Sequence, residues 1–293
     1  RSYPLGTTLL EVSLEMQNKY KYPIVAGKVF NEIKELSYEI NEDCQVDFID
    51  LSHEDGMRIY RRSLCFILIK AVNDLFPDRK VVIQHSIGSG LYCEIIGSKE
   101  LTADGVSQIE NRMREIVNAK IPFVKRIMSV EEAMEVFKKS GRMDRYHAVE
   151  HRIKPYVTMY NCGGLDDYFY GYMVPDTGYV KKFSLIFYPP GLVLNAPTKE
   201  DPGNLPDFTP LPKLFAIFNE YKRWNRILEI ENVGALNDII KEGKIDDIIR
   251  VSEALHEKKI ARIADMITDS EENIKVVLIS GPSSSGKTTF AQR

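Results

Sequence analysis

The sequence is poor in cysteine and tryptophan, has no excess of positive charge and contains no long apolar run. It has four cysteines and one tryptophan in 293 residues. No two cysteines form a C-x-x-C pair, which excludes a zinc knuckle or a redox dithiol of that spacing. Widely spaced free thiols are typical of a reducing compartment. The sequence therefore predicts a cytoplasmic protein without a zinc site.

The apolar runs are short. The longest, from Leu64 to Val72, is interrupted by Lys70. It is far below the ~20 residues that cross a bilayer, and no signal peptide is visible. We therefore expect no membrane association.

The charge balance excludes a strongly basic nucleic-acid binder. The 39 Lys and Arg residues stand against 42 Asp and Glu residues, which leaves a net charge of −3. A protein that binds nucleic acid with much of its surface would carry a net positive charge. RNA contact would therefore have to come from a local patch.

The composition, 44% hydrophobic and 28% charged, is typical of a globular protein with several cores. The length suits two or three domains. The Pro-rich run from Asp201 to Pro212 marks a boundary. We predict an α+β multidomain protein divided into residues 1–52, 53–200, 201–270 and 271–293.

Two capping boxes mark helix starts. Thr8 is followed by Glu11, and Ser129 by Glu132, at the spacing that lets each side chain bind the other residue's backbone. Apolar periodicity and turn signals predict the remaining elements. Helices are predicted at 57–76, 104–119, 213–228, 234–242 and 246–267, and strands at 25–33, 45–51, 80–84, 91–96 and 274–280.

The last predicted strand runs into a complete G-x-x-x-x-G-K-[ST] motif. Its glycines let backbone N–H groups surround phosphate oxygens. Lys287 would reach the β- and γ-phosphates of ATP, and the Thr288 hydroxyl would bind Mg²⁺, so both are predicted catalytic residues. The predicted nucleotide-binding residues are Gly281, Pro282, Ser283, Ser284, Ser285, Gly286, Lys287, Thr288 and Thr289.

A kinase also needs a metal-binding carboxylate and a parallel sheet under this loop. Neither pattern is recognisable before the sequence stops at Arg293, so we expect a chain truncated just after the loop. We therefore predict that this chain neither holds ATP tightly nor transfers phosphate. ATP and Mg²⁺ would serve only a full-length protein.

Several short stretches resemble the front of threonyl-tRNA synthetases. Residues 6–12, 25–29 and 42–44 are similar to a TGS domain, the β-grasp module of those enzymes. Residues 60–63, 75–78, 87–92 and 174–179 follow in the order of the editing domain. The resemblance implies a β-grasp domain at 1–52, an editing-like domain at 53–200 and a helical connector at 201–270.

The resemblance fails where the editing chemistry would lie. The family carries H-x-x-x-H on its long helix and C-x-x-x-H later in the domain. Arg62 and Phe66 stand at the first pair here, and Phe169 and Met173 at the second. Phe and Met neither move protons nor ligate a borderline metal. We therefore expect no removal of mischarged amino acid, and a site that could keep only a binding role.

A synthetase-like front joined to this loop resembles the bacterial uridine kinase-like proteins of the phosphoribulokinase/uridine kinase group. That resemblance implies ATP-dependent phosphorylation of a nucleoside-like substrate by a full-length protein, with the front module in a regulatory role. The alternative is a non-enzymatic module that binds RNA or a regulatory ligand. The oligomeric state is left undetermined by the sequence.

Three further features have two interpretations each. The aromatic block could stack on a base or form ordinary core. His85 could line a pocket or cap a loop. His147 and His151 have a two-ligand spacing, but no third ligand is apparent, which favours an exposed helix face. The aromatic block consists of Tyr156, Tyr160, Tyr168, Phe169, Tyr170, Tyr172 and Tyr179.

Overall fold

The computed structural model describes residues 2–271 and 274–293. Within these ranges the chain forms nine α-helices and four small antiparallel sheets. It divides into two compact units, the first ending at Tyr221 and the second beginning at Lys222. The predicted α+β multidomain class is confirmed at this level, and the four named domains stay predictions. Among the described residues, no helix is long and apolar enough to span a membrane.

The chain begins with a helix over a three-stranded sheet. Helix α1 (Leu9–Met16) starts at the predicted capping box, where Glu11 N donates to Thr8 Oγ1 at 3.3 Å. Its residue Leu9 is fully buried against the sheet. The strands of this region are β1 (Thr7–Thr8), β2 (Ile24–Val29), β3 (Glu32–Glu35), β4 (Glu39–Ile40) and β5 (Val46–Asp50), with order β3-β2-β5 and a separate β1-β4 pair.

The single strand predicted at 25–33 is wrong. Strands β2 and β3 are the two arms of a hairpin, with Val29 paired to Glu32. Phe30 and Asn31 form the turn, with φ values of 47° and 64°. Two consecutive left-handed residues match the twist of antiparallel strands in a two-residue turn. Asn tolerates this conformation, but Phe gives no sequence signal for it.

Helix α2 (Glu54–Leu75) is the central element of the first unit. It confirms the predicted apolar helix and is buried on nearly every side. Gly56 allows its first turn to approach β5, since a Cβ there would lie 2.0 Å from the Asp50 carbonyl oxygen. Against it packs helix α3 (Ala103–Asn118). A four-stranded sheet of order β11-β12-β7-β6 consists of β6 (Lys80–Ile87), β7 (Gly90–Ile96), β11 (Ser184–Tyr188) and β12 (Gly191–Asn195).

A third sheet shares the core of α2. Its strands are β8 (Phe123–Ser129), β9 (Tyr156–Cys162) and β10 (Leu165–Tyr168), in the order β10-β9-β8. Helices α4 (Val130–Lys139) and α5 (Met143–Glu150) bury Val157 and Met159 on one side. Phe123, Tyr160 and Cys162 join the core around α2 on the other. The sheet therefore lies between two hydrophobic cores.

Three further helices agree with the predicted ranges, namely α6 (Pro212–Ile227), α7 (Val233–Lys241) and α8 (Ile245–Thr268). The short α9 (Lys287–Gln292) follows the predicted phosphate loop. The predicted strand at 274–280 is wrong: these residues have no regular structure, and Leu278 is 90% exposed. A strand in this position needs neighbours to bind its backbone groups, and no described strand pairs with it.

Candidate functional site

The four positions at which the resemblance places editing residues come together in the structure. Helix α2 carries Arg62 and Phe66 one turn apart, so both point to the same side. Phe66 is fully buried, with its ring centroid 4.9 Å from that of Phe169 and 5.7 Å from that of Phe123. Met173 is only 3% exposed. Packed apolar side chains therefore fill this place.

Arg62 lies in the same region, and its guanidinium contacts the backbone. Its Nη1 donates to the Tyr172 carbonyl oxygen at 2.6 Å. Burial lowers the pKa of the Arg62 guanidinium from its usual value. Gly171, at φ 94°, leaves it room, because a Cβ on that residue would lie 2.7 Å from Arg62 Cζ. The guanidinium therefore fixes the position of residues 171–172.

The Ser63 hydroxyl, which lies beside Met173, also has a structural role. Its Oγ donates to the Ile59 carbonyl oxygen at 2.9 Å and accepts from Val174 N at 3.0 Å. The Met173 sulfur lies 3.5 Å from the same Oγ. A nucleophilic serine needs a base within hydrogen-bond distance. No described contact of Ser63 supplies one.

A buried carboxylate from the first sheet, that of Glu35, binds to this packed region. Glu35 is 8% exposed. It accepts a short hydrogen bond from the Tyr160 hydroxyl and a 3.3 Å bond from Met173 N. Lys125 Nζ lies 3.1 Å from its other oxygen and 5.0 Å from the Tyr172 ring centroid. Burial, with the Glu35 charge beside it, raises the pKa of Tyr160 far above its usual value. The phenol therefore stays a hydrogen-bond donor.

The aromatic block divides into two groups. Tyr160 is 1% exposed and belongs to the core, as does Phe169 beside Phe66. Tyr170 is 72% exposed and Tyr156 is 44% exposed. Arg152 links Tyr170 to the half-buried Tyr168, since its Nη1 donates to the hydroxyls of Tyr168 at 2.6 Å and Tyr170 at 3.1 Å. It binds Tyr156 only at the backbone carbonyl oxygen. The aromatic block indicated these tyrosines in the sequence, but the role of Arg152 had no sequence signal.

His85 packs between aromatic rings. Its ring centroid lies 3.7 Å from that of Phe218, nearly parallel, and 5.4 Å from that of Tyr92. Phe215 packs edge-on against Tyr92 at 4.9 Å. The beginning of α6 therefore covers this side of the four-stranded sheet, and the pocket interpretation of His85 has no support in these contacts.

The predicted phosphate loop lies in the second unit. Residues 281–286 are exposed, and Ser284 and Gly286 have φ values of 58° and 79°. Lys287 Nζ donates to the carbonyl oxygens of Gly281 at 2.9 Å and Pro282 at 2.6 Å. The loop residues are thus gathered around the lysine. Their role in nucleotide binding stays a prediction.

Comparison with known proteins identifies the class of the front region. No family model matches the chain. It is 33% identical over 187 residues to the threonine–tRNA ligase of Desulforamulus reducens, which is 64% of this chain and 29% of the relative. It is 30% identical over 189 residues to that of an Acidovorax species (64% and 29%) and over 181 residues to that of Legionella pneumophila (61% and 28%).

These matches confirm a threonyl-tRNA synthetase-like module. The chain spans less than a third of the length of these relatives, 29% or 28% in each case. They also correct the predicted activity. The expectation of a uridine kinase-like phosphotransferase is wrong, because these relatives are threonine–tRNA ligases. The physical reason is that an eight-residue loop motif indicates phosphate binding but does not by itself define a reaction.

Proposed function

We propose that this chain carries a non-enzymatic RNA-binding module of the threonyl-tRNA synthetase type, and that its RNA is a tRNA. The observation that carries the proposal is the cleft on α2, which is filled by Phe66, Phe169 and Met173 instead of open for chemistry. At the positions where the resemblance places reactive side chains, this chain carries packing ones, an exchange that removes hydrolytic chemistry. Binding is the function that such an exchange leaves intact.

The relatives supply the class of ligand. Their names state that they act on threonine and tRNA. The matched stretch is 187 residues of the 293-residue chain, so it extends beyond any single short motif. With a net charge of −3, the chain has little non-specific attraction for polyanions. An interaction with tRNA would therefore depend on a defined surface.

Two assays on the whole chain test the proposal. In filter binding with tRNA at two salt concentrations, we expect binding whose affinity falls steeply with salt, because phosphate contacts release counterions. In a hydrolysis assay with mischarged tRNA, we expect no acceleration over the uncatalysed rate. Absence of tRNA binding at low salt would refute the binding role. Hydrolysis by the chain would refute the non-enzymatic role.

We propose separately that residues 281–289 bind the polyphosphate of a nucleotide with low affinity. The observation that favours this is the position of Lys287, whose ammonium lies between two loop carbonyls and would have to leave them to reach a phosphate. The loop has no paired strand beneath it among the described residues. Calorimetry with Mg-ATP on the chain and on Lys287→Ala tests this. Binding in the micromolar range, or equal binding by both, would contradict it.

A further inference from the structure

One surface at the end of β10 combines aromatic rings with positive charge. It consists of Tyr168, Tyr170, Arg152 and Lys154, and we name it the tyrosine–arginine surface. Tyr170 is 72% exposed. Tyr168 is half-buried and pairs with Met159, so it lies on the side of the sheet that α4 and α5 cover, opposite the Tyr156 side chain. A ring as exposed as that of Tyr170 is not needed to fill a core.

Arg152 organises these rings. Its Nε donates to the Tyr156 carbonyl oxygen at 3.0 Å, and its Nη1 donates to the hydroxyls of Tyr168 and Tyr170. Its guanidinium lies 5.6 Å and 5.5 Å from the centroids of these two rings. Its Nη2 group donates to no described residue, so it keeps two N–H groups for a ligand. A ligand with acceptor oxygens would complete this guanidinium.

Tyr170 is held in a defined position although it is exposed. Its ring meets Tyr168 edge-on at a centroid distance of 5.1 Å. The hydrogen bond with Tyr168 and the positive charges of Arg152 and Lys154 lower the pKa of the Tyr170 phenol. Lys154 is exposed and follows Arg152 by two residues in the chain. A fixed ring face beside the Arg152 guanidinium therefore projects into solvent.

We propose that the tyrosine–arginine surface binds an unpaired stretch of RNA, with a base stacked on Tyr170 and backbone phosphates beside Arg152 and Lys154. This inference rests on the proposed function and names the part of the RNA that the module recognises. Unpaired RNA bases stack on exposed aromatic side chains and on Arg planes, whereas bases inside a duplex are not accessible to them. The positive charge of the surface, against the negative balance of the chain, fits a phosphate backbone.

Fluorescence anisotropy tests the proposal on the whole chain. The probes are a labelled, unpaired oligoribonucleotide of mixed sequence and the same strand in a blunt RNA duplex. We expect the unpaired strand to bind more tightly than the duplex. Tyr170→Ala should weaken binding of the unpaired strand about five- to hundredfold, the range found for loss of one base-stacking ring. Tyr170→Phe keeps the ring and should weaken binding less than Tyr170→Ala.

Two matched pairs of variants separate specific from general effects. Lys154→Ala should reduce the slope of log affinity against log salt by about 0.7, the value for one phosphate contact with a single strand. Lys181→Ala removes the same exposed charge elsewhere and should leave the slope unchanged. Tyr221→Ala removes a ring that is 52% exposed outside the surface and should leave the affinity unchanged. Circular dichroism of each variant checks that it is folded.

The outcomes test the role of this surface and the proposed function separately. If the chain binds the unpaired strand and Tyr170→Ala binds it equally, the RNA-binding role survives and this surface is refuted. If the duplex binds as tightly as the single strand, base stacking is refuted. If the chain binds neither these probes nor tRNA, both proposals are refuted.

Discussion

Lys125 Nζ lies 3.1 Å from Glu35 Oε2, although the two residues are 90 positions apart in the chain. Glu35 belongs to β3 of the first sheet and Lys125 to β8 of the third. The same carboxylate accepts hydrogen bonds from Tyr160 and from the backbone of Met173. One buried acidic residue thus ties the front sheet to the filled cleft on α2.

Replacing Glu35 should therefore destabilise the first unit. Glu35→Ala leaves a backbone N–H and a half-buried ammonium without their acceptor, and leaves the buried Tyr160 phenol only its 3.3 Å bond to the Gly171 carbonyl oxygen. We therefore expect a loss of about 3 kcal/mol in the free energy of unfolding. Urea unfolding followed by circular dichroism measures it. Glu32→Ala is the control, because Glu32 lies on the same strand with its side chain 73% exposed. Equal unfolding midpoints for the two variants would contradict the role of Glu35.

Two glycines with similar backbones should differ in their response to alanine. Gly171 and Gly164 have φ values of 94° and 86°. A Cβ at Gly164 meets nothing within 4 Å, whereas one at Gly171 meets the Arg62 guanidinium at 2.7 Å. Gly164→Ala should cost about 1 kcal/mol through backbone strain alone. Gly171→Ala should cost more, because it also displaces Arg62. Thermal unfolding of both variants measures the two losses, and a larger loss for Gly164→Ala would contradict this prediction.

Phe66 should be the most costly single truncation in the filled cleft. It is fully buried between two other rings, so Phe66→Ala removes packing and leaves a cavity. We expect a loss of about 3–5 kcal/mol in the free energy of unfolding. Phe187→Ala, at a residue that is 36% exposed, should cost much less. A small effect at Phe66 would mean that the cleft is open in solution.

The cysteines should react in two classes. Cys65, Cys93 and Cys162 are buried, and Cys44 is partly exposed. Burial raises the pKa of the Cys65 thiol to about 12 and that of Cys162 to about 11. In a thiol-titration assay at pH 8 we expect one fast thiol, which Cys44→Ser removes, and slow reaction of the others until the protein is denatured. Several fast thiols in the native protein would contradict the buried core.

The same pKa values predict a loss of stability at alkaline pH. The unfolded state releases these thiol protons near the ordinary pKa of 9.0, while the folded state keeps them up to about 11 for Cys162 and about 12 for Cys65. The unfolded state therefore binds fewer protons in this window, so the free energy of unfolding falls as pH rises through it. Urea midpoints between pH 8 and pH 11 measure the fall. Cys65→Ala, which fills the same core position with an apolar group, should reduce the slope.

Much of the secondary structure follows from local sequence. The capping boxes at Thr8 and Ser129 form as predicted, since each needs only residues three positions apart. The long helix α2 follows from its apolar run for the same reason. The synthetase-like resemblance is also present in the sequence alone, as is the loss of the reactive residue types at Arg62 and Phe66.

Long-range packing decided the rest. No local pattern joins Glu35 to Lys125, and none divides the aromatic block into a buried Tyr160 and an exposed Tyr170. The predicted strand at 274–280 has the right residue types but no partner strand among the described residues, and a strand forms only when its backbone groups are paired. Sequence determines which helices can start and which chemistry is lost. Tertiary structure determines which side chains meet, because burial and pairing depend on residues far apart in the chain.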